Sequence, residues 1–521
     1  MKKRILICIG TAVLLLAVTL ASLLTSATSS ALGPATPIPQ GPLYGLVPQC
    51  QKFIRYYPVE YSKPVDHVAA PQHPYMAPNG QSNMHCDPYM TDTYEVSGPL
   101  GVNSKVSSTY YGLAECVTLT FDKQGRIVTV LGGLGAPVLL LLDPQNLAEL
   151  ARYELPARPW YWIFDAIGPL DDPSGGAYFY LDNEDNVVVT THDYRILVIK
   201  VPANLSTGFQ IVSQYDLSAH VLPQQWPDRD KVGPAIMDWS GRYFWYTTRY
   251  GLVGLVNKST GVINSIVLPG EQIQNSPAVA ADGFYVITDH AMYRFVANES
   301  TGAPEMLWRF EYDRGTRQKP GMLTQGSGTT PTLMGDLVAI ADNADPKMNV
   351  IFLSRGTGQR VCSIPVFKDN ESCTENSLIG VQHTDGTYSV IVENNYGVQS
   401  MLTTTLGNTT VGGVTRIHVV PNGSGGYSCH EEWTSNEISC TPVPKMSLNN
   451  GLIYLYTKPK TTLIDMWYFT AVDFATGQTV YRVLTGTGLN YNNNWAPITL
   501  GPNGGTAYIG SLAGMMMIRD K

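Results

Sequence analysis

One phrase returns along this chain roughly every 40 to 55 residues, and it limits the fold more than any other feature. Each copy reads as an apolar strand, a Gly turn, a β-rich strand, a polar break, a third strand, a Thr-Gly turn and a fourth strand. The stretch NSPAVAADGFYVITDHAMYRFV, which begins at Asn275, shows the first three of these strands. Glycine suits such tight hairpins because it accepts a positive φ. The pattern predicts eight units between Glu115 and the C-terminus.

A repeat of this length with four strands per unit is typical of a β-propeller. The last unit, which begins at Trp495, stops after three strands. We therefore predict an all-β chain that forms a single ring of eight four-stranded blades, with an N-terminal segment completing the last blade and removing a sheet edge. The stretch FIRYYPVEY, from Phe53, is the candidate closing strand.

The repeat divides the chain into three parts. Residues 1–31 combine MKKR with a long apolar run and small residues up to Ala31, a pattern typical of a signal peptide. The length of the apolar run leaves an uncleaved membrane anchor as the alternative. Residues 32–114 are the N-terminal extension that supplies the closing strand, and residues 115–521 form the propeller.

The units resemble those of the quinoprotein-type (PQQ-like repeat) β-propellers, whose repeat runs Ser-Pro, strand, Gly, strand, Asp-x-x-Thr-Gly, strand, Trp. Ser276-Pro277 and Thr330-Pro331 match its start, and Trp308 stands where that repeat has its Trp. Asp473, Thr476 and Gly477 match its turn, with Tyr481 in place of the Trp. The resemblance covers about three quarters of the chain and implies the fold, while that family includes dehydrogenases, assembly scaffolds and binding proteins.

Charge and cysteine content narrow the class of protein. A net charge of -8 gives no basic surface for nucleic acid. Outside the leader, Cys362 with Cys373 and Cys429 with Cys440 are close enough in sequence to form two local disulfides, as suits an exported protein. Three further cysteines, Cys50, Cys86 and Cys116, are an odd set, so one of them is unpaired or pairs elsewhere.

In a propeller the first strand of each blade begins on the face where the second strand ends. On this face the sequence collects amides, carboxylates and Trp495, whereas the opposite face collects ordinary turn residues. Carboxylate and amide oxygens are the ligands that calcium takes. The candidate metal ligands are Asp342, Asp345, Glu375, Glu393 and Asn395. Each of them alone is also an ordinary turn residue.

Two histidines, His192 and His290, end the second strands of units two and four and are candidate general bases, as is Glu393. A structural histidine that only makes hydrogen bonds is the alternative. The insertion RGTRQKPGMLTQGSG, from Arg314, is expected to enter the same polar face as a lid or partner loop.

These features favour a secreted, periplasmic or envelope-associated binding or scaffold protein whose partner is a small molecule, a glycan or an envelope protein at the channel mouth. A calcium-assisted lactonase or esterase is the alternative. A quinone-dependent dehydrogenase is disfavoured, because the resemblance implies a Cys-Cys pair and a stacking Trp around the quinone. The chain has no adjacent cysteines, and Trp495 is the only well-placed Trp. Contact with a membrane is expected only if the leader stays attached.

Overall fold

A computed structural model describes residues 33–58, 63–133, 135–159, 174–222, 229–423 and 426–521. The leader predicted at 1–31 lies outside these residues. Among the residues described, no helix has the length and apolar character to span a membrane.

The described residues of the segment before the ring hold three short strands and two short helical turns. The helical turns are Tyr44–Leu46 and Gln49–Lys52. The strands are β1 (Phe53–Arg55), β2 (Thr93–Tyr94) and β3 (Lys105–Tyr110).

The ring itself consists of strands that follow one another as antiparallel meanders. Blade 1 contains β4 to β7 and blade 2 contains β8 to β11; blades 3 and 4 contain β12 to β15 and β16 to β19. Their bounds are Ala114–Phe121, Ile127–Gly133, Val138–Leu142, Glu149–Glu154, Phe179–Leu181, Asn186–Thr190, Arg195–Lys200, Gln210–Asp216, Val232–Met237, Tyr243–Thr248, Leu252–Asn257, Ile263–Val267, Ala278–Ala280, Gly283–Ile287, Ala291–Ala297 and Pro304–Glu311.

Blades 5, 6 and 7 contain β20 to β23, β24 to β27 and β28 to β31, and blade 8 contains β32 to β34. Their bounds are Thr332–Met334, Leu337–Ala341, Asn349–Ser354, Arg360–Pro365, Ile379–Gln382, Tyr388–Glu393, Val414–Pro421, Tyr427–Ser435, Lys445–Ser447, Leu452–Thr457, Met466–Asp473, Thr479–Thr487, Ile498–Leu500, Thr506–Ser511 and Gly514–Arg519. Single helical turns at Leu205–Thr207, Ser218–His220 and Leu489–Tyr491 lie between strands.

The prediction of eight four-stranded blades is confirmed. Second strands are buried on both faces, and β13 has no exposed residue, because neighbouring blades cover each sheet. The core therefore lies between blades. Trp245 of blade 3, for example, stacks on Phe284 of blade 4 with ring centroids 4.5 Å apart.

An N-terminal strand closes the ring, as predicted, but the strand is β3 and not the stretch from Phe53. β3 pairs antiparallel with β34, with Lys105 opposite Arg519 and Thr109 opposite Met515. The strand β1 (Phe53–Arg55) instead adds to the outer edge of blade 7 through β31. The apolar stretch thus covers a neighbouring edge, and the hydroxyl-rich KVSSTY completes blade 8.

The rest of the N-terminal extension runs across and into the ring. Residues 63–76 cross the hairpin face, where Val65 N–H donates to Leu448 O of blade 7 and Asn183 N–H of blade 2 donates to Tyr75 O. Residues 76–94, here called the axial segment, then return along the inner ends of the blades. Their carbonyls accept hydrogen bonds from blades 2, 4, 5, 6 and 7, at Leu181, Val279, Leu333, Gly380 and Met446. The axial segment therefore fills the channel on the hairpin side.

Outer strands are tied to the next blade by indole rings. Trp308 of blade 4 donates its Nε1–H to Arg355 O of blade 5, at 2.9 Å, and its ring covers the Thr-Gly turn there. At Gly358, whose φ is 71°, a Cβ would come within 2.6 Å of the Trp308 ring. The glycine is therefore required by both its backbone conformation and the close approach of the ring.

The two local disulfides predicted from sequence are wrong. Cys362 in β23 is bonded to Cys429 in β27, with the Cα atoms 6.1 Å apart, while Cys373 and Cys440 are buried free thiols. The bond joins the outer strands of blades 5 and 6, which lie side by side at the rim although they are 67 residues apart in sequence.

Candidate functional site

A cavity lies on the ring axis at the face where first strands begin. About 130 Å³ of it is open to the centres of water-sized molecules. Several of the residues around it come from just before or at the start of first strands. They include Glu115, Asn275, Thr330, Asn376 and Asn494.

The axial segment forms the floor of the cavity through Met84 and His85. Below the cavity, the buried Asp92 forms an ion pair with the equally buried Lys445 and accepts a hydrogen bond from the Ser377 hydroxyl. His85 Nδ1 lies 3.1 Å from Asp92 Oδ1. Burial alone would raise the pKa of Asp92, but Lys445 and His85 lower it below its usual value. We call His85, Asp92, Ser377 and Lys445 the floor cluster.

The insertion from Arg314 covers part of the opening, on the face where it was expected. Leu323 N–H donates to Glu375 Oε1, and Leu323 lines both the axial cavity and a second pocket of about 340 Å³ at the mouth. Trp495 and Asn494 also line both spaces. Trp495 has a φ of 65°, a left-handed conformation that a bulky residue rarely adopts. Leu323 and Trp495 thus stand between the mouth and the axial cavity.

Glu115 of β4 is the most isolated acid of the cavity wall. It is 6% exposed, and its Oε1 accepts a hydrogen bond of 3.0 Å from Asn494 N–H. Burial raises the pKa of Glu115 to about 8, so the side chain is mainly neutral at pH 7.

Three of the predicted metal ligands lie together in blade 6. Asn395 Oδ1 accepts from the backbone N–H of Glu375 at 2.9 Å, and Asn395 Nδ2 donates to Glu393 Oε1 at 3.2 Å. Asn376 Nδ2 also donates to Glu393 Oε1. Burial raises the pKa of Glu393 to about 8. Glu375 lines the cavity, and Glu393 lies behind it, against Asn376.

The other two metal candidates, Asp342 and Asp345, stabilise loops through hydrogen bonds. Asp342 accepts from Asn349 through both its backbone N–H and its side-chain amide, and burial raises its pKa to about 6. Asp345 Oδ2 accepts from the N–H and hydroxyl of Thr316, each at 2.7 Å. Neither residue is among those that line the cavity.

Within the described parts of the chain, no three His, Cys, Asp or Glu side chains are placed to hold a metal ion together. The donor set does not fit a calcium ion, because the oxygens of Asp342 and Asp345 already bind protein N–H and hydroxyl groups. It does not fit the quinone site implied by the resemblance either, because the chain has no adjacent cysteines beside Trp495. The calcium site therefore stays a prediction that this geometry does not favour.

The two histidine candidates do not face each other in a shared site. His192 Nδ1 lies 3.1 Å from the Ser174 hydroxyl, and His192 is buried. His290 bonds to Asp289 Oδ1 at 2.8 Å and to Arg314 of the insertion at 2.7 Å. Neither histidine is among the residues that line the axial cavity.

Sequence reasoning missed two residues of the site. His85 was not among the candidate residues, yet it is buried in the floor cluster. Glu115 marked only the start of the first unit. Its signal was available, since it is an acid at the start of an apolar first strand, on the face that also carries Glu375.

Comparison with known proteins supports the fold and does not identify a function. No model of a known protein family matches the chain. An uncharacterized protein of Archaeoglobus fulgidus is 27% identical over 308 residues, which are 52% of this chain and 57% of that protein. The chain thus spans little more than half the length of this relative.

Among solved structures, a europium-containing methanol dehydrogenase has a TM-score of 0.50 and 11% identity, and the match covers 84% of this chain and 98% of that one. BamB from Moraxella catarrhalis has a TM-score of 0.37 and 13% identity, with coverage of 83% and 97%. The likeness to the methanol dehydrogenase confirms the resemblance to PQQ-like propellers at the level of the fold.

Proposed function

We propose that this protein is an exported binding propeller that takes up a ligand in the axial cavity. The observation that carries the proposal is the cavity itself. Its floor is built by the axial segment, its wall by the inner ends of the blades, and its entrance by Leu323 and Trp495. Concave sites with apolar walls and a few convergent polar groups are where small molecules bind.

Export is part of the proposal and is supported by two features. Residues 1–31 have the pattern of a leader, and a disulfide such as Cys362–Cys429 persists in oxidising compartments. The ligand is a small molecule, or the end of a glycan or of an envelope protein that enters the mouth.

A calcium-assisted hydrolase would need a carboxylate cluster open to substrate. The carboxylates that the repeat placed on this face are instead bonded to neighbouring amides, hydroxyls and backbone N–H groups. A ligand-binding role requires no such cluster, and it is the function that we propose.

The test is a thermal-unfolding screen of the purified protein against small metabolites, short glycans and short peptides, because a ligand that prefers the native state raises its stability. Val117, half-buried in the cavity wall, is replaced in a Val117→Trp variant that fills the cavity. Val262→Trp, at a position 56% exposed on a Thr-Gly turn, is the matched control.

We expect at least one compound to raise the melting temperature of the native protein and of Val262→Trp, but not of Val117→Trp. A compound that stabilises all three proteins equally binds elsewhere and would count against the cavity. If no compound shifts the native protein, the binding proposal fails.

A further inference from the structure

The wall of the axial cavity contains a buried acid, Glu115, and this restricts the ligand. Glu115 forms no ion pair with any Lys, Arg or His of the described chain, and its carboxyl receives one backbone N–H, from Asn494. A buried acid without a counter-ion is costly in its charged form. The cavity therefore contains an acid that a ligand could neutralise.

A second buried acceptor, on Asn376, belongs to the same wall. Asn376 is 1% exposed and lines the cavity, and its Oδ1 accepts no hydrogen bond within the described structure. The assignment of its amide is fixed by the other end, since Nδ2 faces Glu393 Oε1 and the carbonyls of Thr441 and Pro442. This oxygen is closed off from the open space of the cavity, so the wall keeps an unsatisfied acceptor that costs about 1–3 kcal/mol.

Both acceptors belong to one hydrogen-bonded arc around the wall. Asn376 donates to Thr441 O, and the Thr441 hydroxyl donates to Asn493 O at 2.7 Å. The next residue, Asn494, donates to Glu115. The arc runs through blades 6, 7, 8 and 1, so the acceptors are held by the ring and not by a loose loop.

Apolar side chains complete the wall and indicate that the body of the ligand is apolar. Trp495 offers an aromatic face beside the arc, and such faces attract cations as well as apolar groups. The volume has room for roughly ten water molecules, enough for a ring with a short side chain. The apolar lining residues are Met84, Leu113, Val117, Val130, Val443 and Leu512.

Four other ionisable side chains face the cavity. Arg158 donates to Gly133 O at 2.8 Å, next to Gly132, which is the partner of Glu115 in blade 1. Glu375 faces it from blade 6 and Tyr178 from blade 2, and burial raises the pKa of Tyr178 above its usual value, so its phenol stays neutral. Burial lowers the pKa of His85, so its imidazole is neutral at pH 7.

We infer that the axial cavity binds a small organic cation, a primary amine on an apolar body, with its ammonium group held by Glu115. This inference rests on the proposed binding function and names its ligand class. An ammonium group is the counter-ion that Glu115 lacks, and hydrogen bonds between charged groups are about twice as strong as neutral ones.

Binding of an amine should also release a proton from Glu115 to the solvent. In the empty cavity Glu115 is mainly protonated at pH 7, because its pKa is about 8. An adjacent cation favours the carboxylate, so the ammonium group lowers this pKa and Glu115 releases its proton on binding. The apparent affinity for the amine should therefore rise about fivefold between pH 7 and pH 8, as the fraction of Glu115 already ionised increases.

The experiment is isothermal titration of the protein with three probes of one shape: benzylamine, benzyl alcohol and benzoate. Each is titrated at pH 7 in two buffers of different ionisation enthalpy, which reports the number of protons exchanged. Glu115→Gln is the key variant, because its amide oxygen can still accept from Asn494 N–H while the side chain cannot ionise. Val117→Trp serves to place any binding in the cavity.

We expect benzylamine to bind, to release protons, and to lose about tenfold or more of its affinity in Glu115→Gln. Equal or better binding of benzyl alcohol or benzoate, unchanged in Glu115→Gln, would overturn the cation and leave the binding function standing. If no benzyl probe binds but a screened compound is lost in Val117→Trp, the amine is again wrong and the binding function survives. If nothing binds, both are wrong.

Discussion

Lys445 and Asp92 form an ion pair under the cavity in which neither side chain is exposed. Removing one partner leaves an uncompensated charge in a medium that solvates it poorly, so Lys445→Met should cost about 3–5 kcal/mol of the free energy of unfolding. Urea unfolding measures this change. Arg242→Ala, which removes the exposed ion pair with Glu299, is the control and should leave the midpoint unchanged. An equally small effect of Lys445→Met would show that the pair does not hold the floor.

A second prediction at the scale of the residue concerns how Glu393 makes the stability of the protein depend on pH. Its pKa is about 8 in the folded protein, against the usual 4.5, so folding favours the protonated acid and its contribution to stability is lost as the pH rises from 4.5 to about 8. Glu393→Gln can still accept from Asn376 and Asn395 and cannot ionise. Relative to the native protein, the variant should therefore gain stability across this window, on the order of a few kcal/mol at pH 8.

Urea unfolding of both proteins at pH 5, 6, 7 and 8 measures this difference. A difference that stays constant with pH would contradict the raised pKa of Glu393.

At the scale of the element, β3 closes the ring through alternate residues. Tyr111 N–H donates to Ala513 O before β34, whereas Tyr110 N–H donates outward to Thr36 O. By the two-residue period of a strand, the N–H of Ser107 faces β34 and that of Ser108 faces away. Ser107→Pro should therefore lower the melting temperature more than Ser108→Pro, because only the first removes a hydrogen bond to β34. Similar losses in the two variants would argue against the register of β3.

The disulfide that joins β23 to β27 gives a second prediction at the scale of the element. Peptide mapping without reduction should recover Cys362 linked to Cys429, with Cys373 and Cys440 free. Because the bond closes a loop of 67 residues, Cys362→Ser should cost up to about 4 kcal/mol of the free energy of unfolding. Recovery of a Cys362–Cys373 peptide would instead restore the local pairing expected from sequence.

At the scale of the whole molecule, the axial segment joins blades that are distant in sequence. Amide hydrogens of Val279, Leu333, Gly380 and Met446 donate to its carbonyls. They should exchange only on global unfolding, at one common rate measured by hydrogen exchange, because no single blade can release them alone. Faster exchange at one of these amides would mean that the axial segment detaches locally.

The sequence was enough to predict the number of blades, because the period and the turn glycines recur in every unit. For the same reason it indicated which residues share the face where first strands begin, since the register of one blade applies to all. It could not predict which N-terminal stretch closes the ring. KVSSTY is less apolar than the stretch from Phe53, and each of the two stretches pairs with the outer edge strand of a blade.

The repeat pattern could not predict the contacts between blades either. The pairing of Cys362 with Cys429 depends on two outer strands meeting at the rim, and sequence distance favours Cys373. Asp342 and Glu393 occupy equivalent places in their repeats, yet one fixes a loop and the other lies against the cavity wall. The difference comes from what the neighbouring blade presents to each of them.

The course of the axial segment has a consequence for how the chain is made. It is synthesised before the first blade, yet its hydrogen-bonding partners lie as far along the chain as Met446. The closing strand β3 must likewise wait for Arg519 in blade 8. A nascent chain therefore cannot finish its blades one after another as they emerge. Contacts of such long sequence separation slow folding, so the ring should close late, only after blade 8 has been synthesised.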